Sequence, residues 1–190
     1  MIKQKLIKNK IKKRYNQLVD HPLVLNPMKH LIKYIFLNLR LRLEAKPIII
    51  KWINNLKFYL SLGDSGIIGN CYFYLLEYQE SIFLIKYLKK IDTFIDVGSN
   101  HGHYSLISSG IVGCRTISIE PVKKTYERLK MNFELNNLGN FELIQLGISN
   151  KDGYLNISND KGSMNRIINS TNEGSSEEIK VTTLDKLLKN

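Results

Sequence analysis

Four positions with the spacing Asp96-x-Gly98-x-Asn100-x-Gly102 carry the most chemistry in this chain. They close an apolar, β-branched run, Phe94-Ile95-Asp96-Val97, and lead into His101-Gly102-His103-Tyr104-Ser105. A strand, a tight glycine turn and a helix start form the opening unit of a nucleotide-binding α/β domain. Gly98 can take backbone angles closed to other residues, and Gly102 lets a ligand or neighbouring backbone approach closely. The helix start offers N–H groups to an anionic group. The spacing is not the G-x-G-x-x-G of dinucleotide binders, and a carboxylate at the strand end suits an ammonium or sulfonium better than a bare pyrophosphate.

The next strand points the same way. Thr116-Ile117-Ser118-Ile119 alternates and ends in Glu120-Pro121. An acidic residue roughly 20 positions past the glycine turn is placed to grip ribose hydroxyls. Asp96 and Glu120 at two strand ends together describe an S-adenosylmethionine site. His101 and His103 alternate but lack a third ligand, so a metal is not expected, and His101 reads as a variable turn residue.

From Glu77 to Asp185 the chain resembles the FkbM-type methyltransferases. The likeness is carried by Glu77 before a helix, the Asp96-Val97-Gly98-Ser99-Asn100 turn, Glu120-Pro121, Leu143 to Asn150 followed by Gly153, and Val181-Thr182-Thr183-Leu184-Asp185. The resemblance implies a Rossmann-like, doubly wound α/β sheet and S-adenosyl-L-methionine as cofactor. It implies Glu77, Asp96, Gly98, Ser99, Asn100, Gly102, Tyr104, Ser105, Glu120 and Pro121 as cofactor-binding residues. The implied reaction is O-methylation of a sugar or glycan hydroxyl. The family pattern continues past Leu184-Asp185 into a further strand, whereas this sequence ends at Asn190. An incomplete sheet is therefore expected, with Phe94–Val97 as an open edge. A second chain would complete it. The alternative is a truncated, inactive remnant acting as a membrane-surface or binding protein. No catalytic base can be named from the sequence.

Charge is unevenly placed in this 190-residue chain of net charge +11. Residues 1–60 hold 14 Lys/Arg against Asp20 and Glu44, giving +12, while residues 61–190 are close to neutral. The basic arm could touch an anionic membrane surface or nucleic acid. No nucleic-acid reader motif accompanies it, which leaves the membrane surface as the stronger partner. Cys71 and Cys114 lack metal-ligand spacing and read as free thiols of a reducing compartment. There is no signal-peptide pattern and no apolar run of roughly 18 residues. The expected location is the cytoplasm, at most peripheral to a membrane.

Three segments must position the turn. Residues 1–46 form the basic arm, helical over 1–19 with a stripe at Ile7, Ile11, Tyr15 and Leu18. Residues 29–43 fit a helix or an alternating strand. Residues 47–76 form a small β extension, with one or two strands over 48–62 before the turn Gly63-Asp64-Ser65-Gly66, and residues 77–190 the N-terminal half of the methyltransferase-like domain. Within it, helices are expected over about 78–90 and over 121–137, the latter opening at Pro121. Tyr154–Ile157 and Ile179–Val181 should pair as a hairpin around a mobile polar loop at 158–176, before a short helix at 184–188.

Overall fold

The computed structural model describes residues 2–159, 165–168 and 175–189, with side chains from residue 8 onwards. The arm is two helices, α1 (Ile2–Val19) and α2 (Pro27–Leu43). The ambiguous segment is helical because its start is specified locally. Pro27 occupies the first turn and the Asn26 side chain accepts the Lys29 N–H at 3.0 Å. His30, Leu31 and Leu41 then fall on one buried face. α1 is docked rather than loose. Leu18 is fully buried, and the Arg14 guanidinium lies 5.0 Å from the ring centres of Tyr34 and Tyr72 and 5.4 Å from Phe73. Such a cage stabilises a cation against several aromatic faces at once.

The extension is an antiparallel hairpin of β1 (Ile48–Lys51) and β2 (Lys57–Leu60), with Ile48 opposite Leu60. It is followed by the short helix α3 (Asn70–Phe73) and by α4 (Tyr78–Tyr87), which ends three residues earlier than its periodicity suggests. The outer edge of β2 is satisfied by side chains of α6 (Lys123–Leu135). Asn132 accepts the Tyr59 N–H and Asn136 accepts the Lys57 N–H, each at 2.7 Å. Two asparagines on a helix thus replace a neighbouring strand.

The central sheet contains β3 (Thr93–Val97), β4 (Arg115–Ile119) and β5 (Phe141–Ile144), all parallel, in the order β3-β4-β5. Among the described residues no strand lies against the other edge of β3, as expected of an open edge. The connection from β3 to β4 is α5 (His103–Ile107) continued by a π-helical turn at Ser108–Val112. The connection from β4 to β5 is α6. This is an α/β fold with a parallel sheet and helical crossovers. α6 starts at Lys123, not at Pro121, because the Val122 N–H is drawn to the Glu120 carboxylate and Val122 stays extended.

The segment Leu143–Asn150, which the resemblance reads as a strand and its turn, contributes to two sheets. The chain leaves β5 at Ile144, and β6 (Gly147–Ile148) joins a second sheet of order β6-β8-β7. A methyl group on Gly147 would lie 2.9 Å from Val181 Cγ1, so the bare backbone is what lets the strand press against β8 (Ser176–Thr182). β8 pairs antiparallel with β7 (Gly153–Ser158), which is the anticipated hairpin. Of the polar loop between them, residues 160–164 and 169–174 lie outside the described residues. α7 (Leu184–Leu188) is capped by Thr183, which accepts the Lys186 N–H at 3.2 Å.

One core joins the arm, the hairpin and the crossover helices. It includes Leu18, Leu31, Phe58, Leu60, Ile67, Leu106, Leu129 and Phe133. Gly102 is where the crossover helices come closest. Its φ is +91°, and a Cβ there would sit 2.7 Å from Leu129 Cδ1. The close approach anticipated at Gly102 is therefore to a core side chain of α6. Gly102→Ala should cost about 2–4 kcal/mol, from the strained backbone plus the overpacked core. Urea unfolding measures it, and a loss under about 0.5 kcal/mol would show that α6 is not fixed there.

Candidate functional site

The carboxyl ends of β3 and β4 stand side by side, with Val97 in register with Ile119. The turn after β3 doubles back through three left-handed residues, Gly98 (φ +77°), Asn100 (φ +51°) and Gly102. The Gly98 and Ser99 N–H groups donate to the Ile119 carbonyl at 2.8 and 3.0 Å. The Asn100 N–H donates to Glu120 Oε2 at 2.9 Å, and Gly102 donates to the Ser99 carbonyl at 2.8 Å. Glu120 Oε1 accepts the Val122 N–H at 3.0 Å. One carboxylate therefore ties the two strand-end turns together. Asp96, Gly98, Asn100, Gly102 and Glu120 converge as the spacing predicts.

Within the turn, the N–H groups of Gly98, Ser99, Asn100 and Gly102 are consumed internally. α5 begins only after it, at His103.

Two buried carboxylates adjoin the turn, and a third, Glu77, lies farther off beside Tyr104. Asp96 is 8% exposed, and its Oδ2 accepts the Ser105 hydroxyl at 2.5 Å. Ser105 in turn accepts from the Ser118 hydroxyl at 2.8 Å, so Ser105 positions Asp96. Burial pushes the Asp96 carboxyl up to about 6, against the lowering effect of the Ser105 hydrogen bonds. Glu120 is 6% exposed and is also pushed up by burial, partly offset by its two backbone donors and reinforced by Asp96. Glu77 is exposed at the start of α4, where it makes no cap. Burial, then the neighbouring Glu77 carboxylate, holds the Tyr104 phenol well above its ordinary value. Pro121 follows Glu120 half-buried and is followed by the extended Val122.

Three consecutive turn residues keep buried polar atoms with no partner among the described residues: Ser99 Oγ, Asn100 Oδ1 and His101 Nδ1. Orphaned buried polar atoms are rare in folded proteins, and three in a row call for a reason. A Cβ on Gly98 would meet nothing within 4 Å, so the space over the turn is open.

The histidines were underestimated in the sequence. His101 is 6% exposed and faces Asp64 Oδ1 at 3.5 Å, while Arg128 donates to Asp64 Oδ2 at 2.8 Å. These three, with Lys124 and Thr125, line a polar cavity of about 260 Å³ on the side of the turn toward the Gly63–Gly66 loop. Asp64 and Arg128 are 64 positions apart, so no local pattern could have paired them. His103 is a core residue. The Asn70 side-chain N–H donates to its Nδ1 at 2.8 Å, which leaves Nε2–H to donate to Ser81 Oγ at 2.9 Å. The Asn70 orientation is fixed because its Oδ1 accepts the Leu76 N–H. Burial drives His103 down to about 4.

No protein-family model matches this sequence, and no curated protein matches it. Solved structures do. TYW2 of P. horikoshii, in complex with MeSAdo, has 19% identity and a TM-score of 0.44, over 55% of this chain and 37% of that one. TYW2 of M. jannaschii, in complex with AdoMet, has 19% identity and a TM-score of 0.42, over 53% and 43%. A protein-L-isoaspartate O-methyltransferase has 16% identity and a TM-score of 0.34, over 70% and 41%. This chain thus spans less than half the length of each. With TM-scores below 0.5, the functional reading stands on the strand-end geometry.

Asp96 and His103 oppose each other in their pH dependence. The folded Asp96 binds its proton more tightly than the unfolded one, whose value is 3.8, so it favours folding as pH falls from about 6 to 3.8. Folded His103 lies below its unfolded 6.5, so its contribution is complete above 6.5 and is lost as pH falls toward 4. Asp96→Asn should raise stability near neutral pH by up to about 3 kcal/mol. It should also make stability fall more steeply between pH 6.5 and 4, because the loss at His103 is no longer offset. Urea unfolding across that range checks this, and a variant that tracks the wild type would show Asp96 to be ordinarily solvated.

Proposed function

We propose that this chain binds S-adenosyl-L-methionine over the Gly98 turn and belongs to a sugar O-methyltransferase of FkbM type. The observation that carries the cofactor is the turn's polarity. The N–H groups of Gly98, Ser99, Asn100 and Gly102 are spent internally, and the Asp96 and Glu120 carboxylates stand at the two adjoining strand ends. Such a site disfavours a phosphate. It suits a ligand that brings cations and hydroxyl donors, which are the ammonium, sulfonium and ribose of this cofactor. The orphaned Ser99 Oγ, Asn100 Oδ1 and His101 Nδ1 leave hydrogen-bonding capacity that a ligand or its water could use.

In this reading Asp96 meets the cationic end, held in place by Ser105. Glu120 uses its remaining lone pairs for the ribose hydroxyls. Glu77 and Tyr104 close the side next to α4. When bound, the cofactor supplies an electrophilic methyl group. The chain's own part is to hold two reactants in line, which can lower a barrier by several kcal/mol without a base. For the acceptor, the FkbM resemblance names a sugar hydroxyl. The cavity at Asp64, His101, Lys124, Thr125 and Arg128 supports it with the donors and acceptors that a polyhydroxylated ligand requires.

Calorimetric titration with S-adenosylmethionine and with ATP tests the cofactor. Binding of the first and not the second is expected. Glu120→Gln should weaken it about tenfold or more, as loss of charged hydrogen bonds at a buried site does. Preference for ATP, or an unchanged Glu120→Gln affinity, would overturn the reading. Transfer of a labelled methyl group to glycans tests the acceptor, and label on RNA or protein instead would reject the sugar.

A further inference from the structure

Helix α2 is apolar on two opposite faces. One face, with His30, Leu31 and Leu41, is buried in the core, and the His30 ring bonds the Tyr72 carbonyl at 2.6 Å. The other face carries Met28, Ile32, Ile35, Phe36, Leu39 and Leu43, which are 43–80% exposed. At 3.6 residues per turn these six form one continuous stripe roughly 100° wide. Single exposed apolar residues are ordinary, but six large ones aligned on a 17-residue helix are not. Leu25, 96% exposed, lies in the turn just before it.

The borders of the stripe are cationic. Lys29, Lys33 and Arg40 follow one side and Arg42 the other, all exposed. No acidic residue lies on α2; Glu44, just beyond its end, pairs with Arg40 at 3.3 Å. On α1, exposed Lys8, Lys10, Lys12 and Lys13 add to the same field. From Ile11 onwards the stripe of α1 is not available for binding. Leu18 is fully buried, and Ile11 and Tyr15 pack against the core.

We propose that the outer face of α2 docks on an anionic lipid bilayer. The helix would lie in the interface plane, its apolar stripe at the headgroup–acyl boundary and its lysines and arginines among the headgroups. Charge selects this occupant. A second copy would bring another +12 segment against the first. An RNA backbone would match the cations and leave the six apolar side chains without a partner. Among the described residues no helix is long and apolar enough to cross a membrane, so the contact is superficial. This inference does not depend on the cofactor reading.

Co-sedimentation of the full chain with vesicles tests it, comparing phosphatidylcholine alone with phosphatidylcholine plus phosphatidylserine at low and high salt. Binding to the anionic vesicles only, weakened by salt, is expected. The combined Ile32→Gln, Phe36→Gln and Leu39→Gln variant alters only exposed positions with a helix-forming residue. It should bind about tenfold less or weaker still, with unchanged circular dichroism. Lys29→Gln with Lys33→Gln should lower binding to anionic vesicles by a similar factor. The proposal fails if binding is absent, is equal on neutral vesicles, or survives the triple substitution. It fails equally if the triple substitution abolishes a dimer while no form of the chain binds lipid.

Discussion

The functional end of this molecule depends on one carboxylate. Glu120 leaves the end of β4 and accepts two backbone N–H groups, one from the turn after β3 and one from the entry to α6. Parallel register alone brings Val97 beside Ile119, but says nothing about how the chain turns beyond them. With Glu120 in place, the turn at Asn100 is pinned in a left-handed conformation and α6 is made to start late. α6 then packs Leu129 against Gly102, and supplies Asn132 and Asn136 to the hairpin edge. A charged group at 6% exposure is kept tolerable by those two donors.

Around that clamp the polar groups divide by surroundings. His103 has every ring nitrogen partnered and burial that favours the neutral form, so it contributes to folding. Asp96 has burial that penalises its charged form, only partly offset by hydrogen bonding from Ser105, so it works against folding near neutral pH. A buried group that the fold must tolerate, at a strand end in an α/β sheet, is where ligand chemistry is commonly found. The two residues are only seven positions apart, yet burial acts on them in opposite directions because one is an acid and the other a base.

The local signals in the sequence marked the elements near the turn well. The glycine spacing, the strand ends at Asp96 and Glu120 and the hairpin of β7 and β8 need only period-two patterning and turn residues to be seen. Other features depend on partners far along the chain. The cage around Arg14 joins α1 to Tyr34, Tyr72 and Phe73, and the Asp64–Arg128 pair spans two elements. The departure of β6 into a second sheet depends on Val181 packing over Gly147. The ambiguity of residues 29–43 had a physical cause as well. A helix that is apolar on both faces carries too many leucines for one stripe, and its Leu37, Leu39, Leu41 and Leu43 mimic alternation.

That double-faced helix also changes which part of the arm is open to a partner. In sequence, α1 is the more obviously basic amphipathic segment, and a stripe among lysines invites a membrane reading. In the fold the stripe is needed elsewhere, because Leu18 and the Arg14 cage anchor the arm to the Ile67–Leu76 segment. α2, held by the same core through Leu31 and Leu41, turns its second apolar face outward. An amphipathic pattern therefore identifies a helix that needs a partner, and only the packing shows whether the chain itself has already supplied it. For α1 it has; for the outer face of α2, among the described residues, it has not.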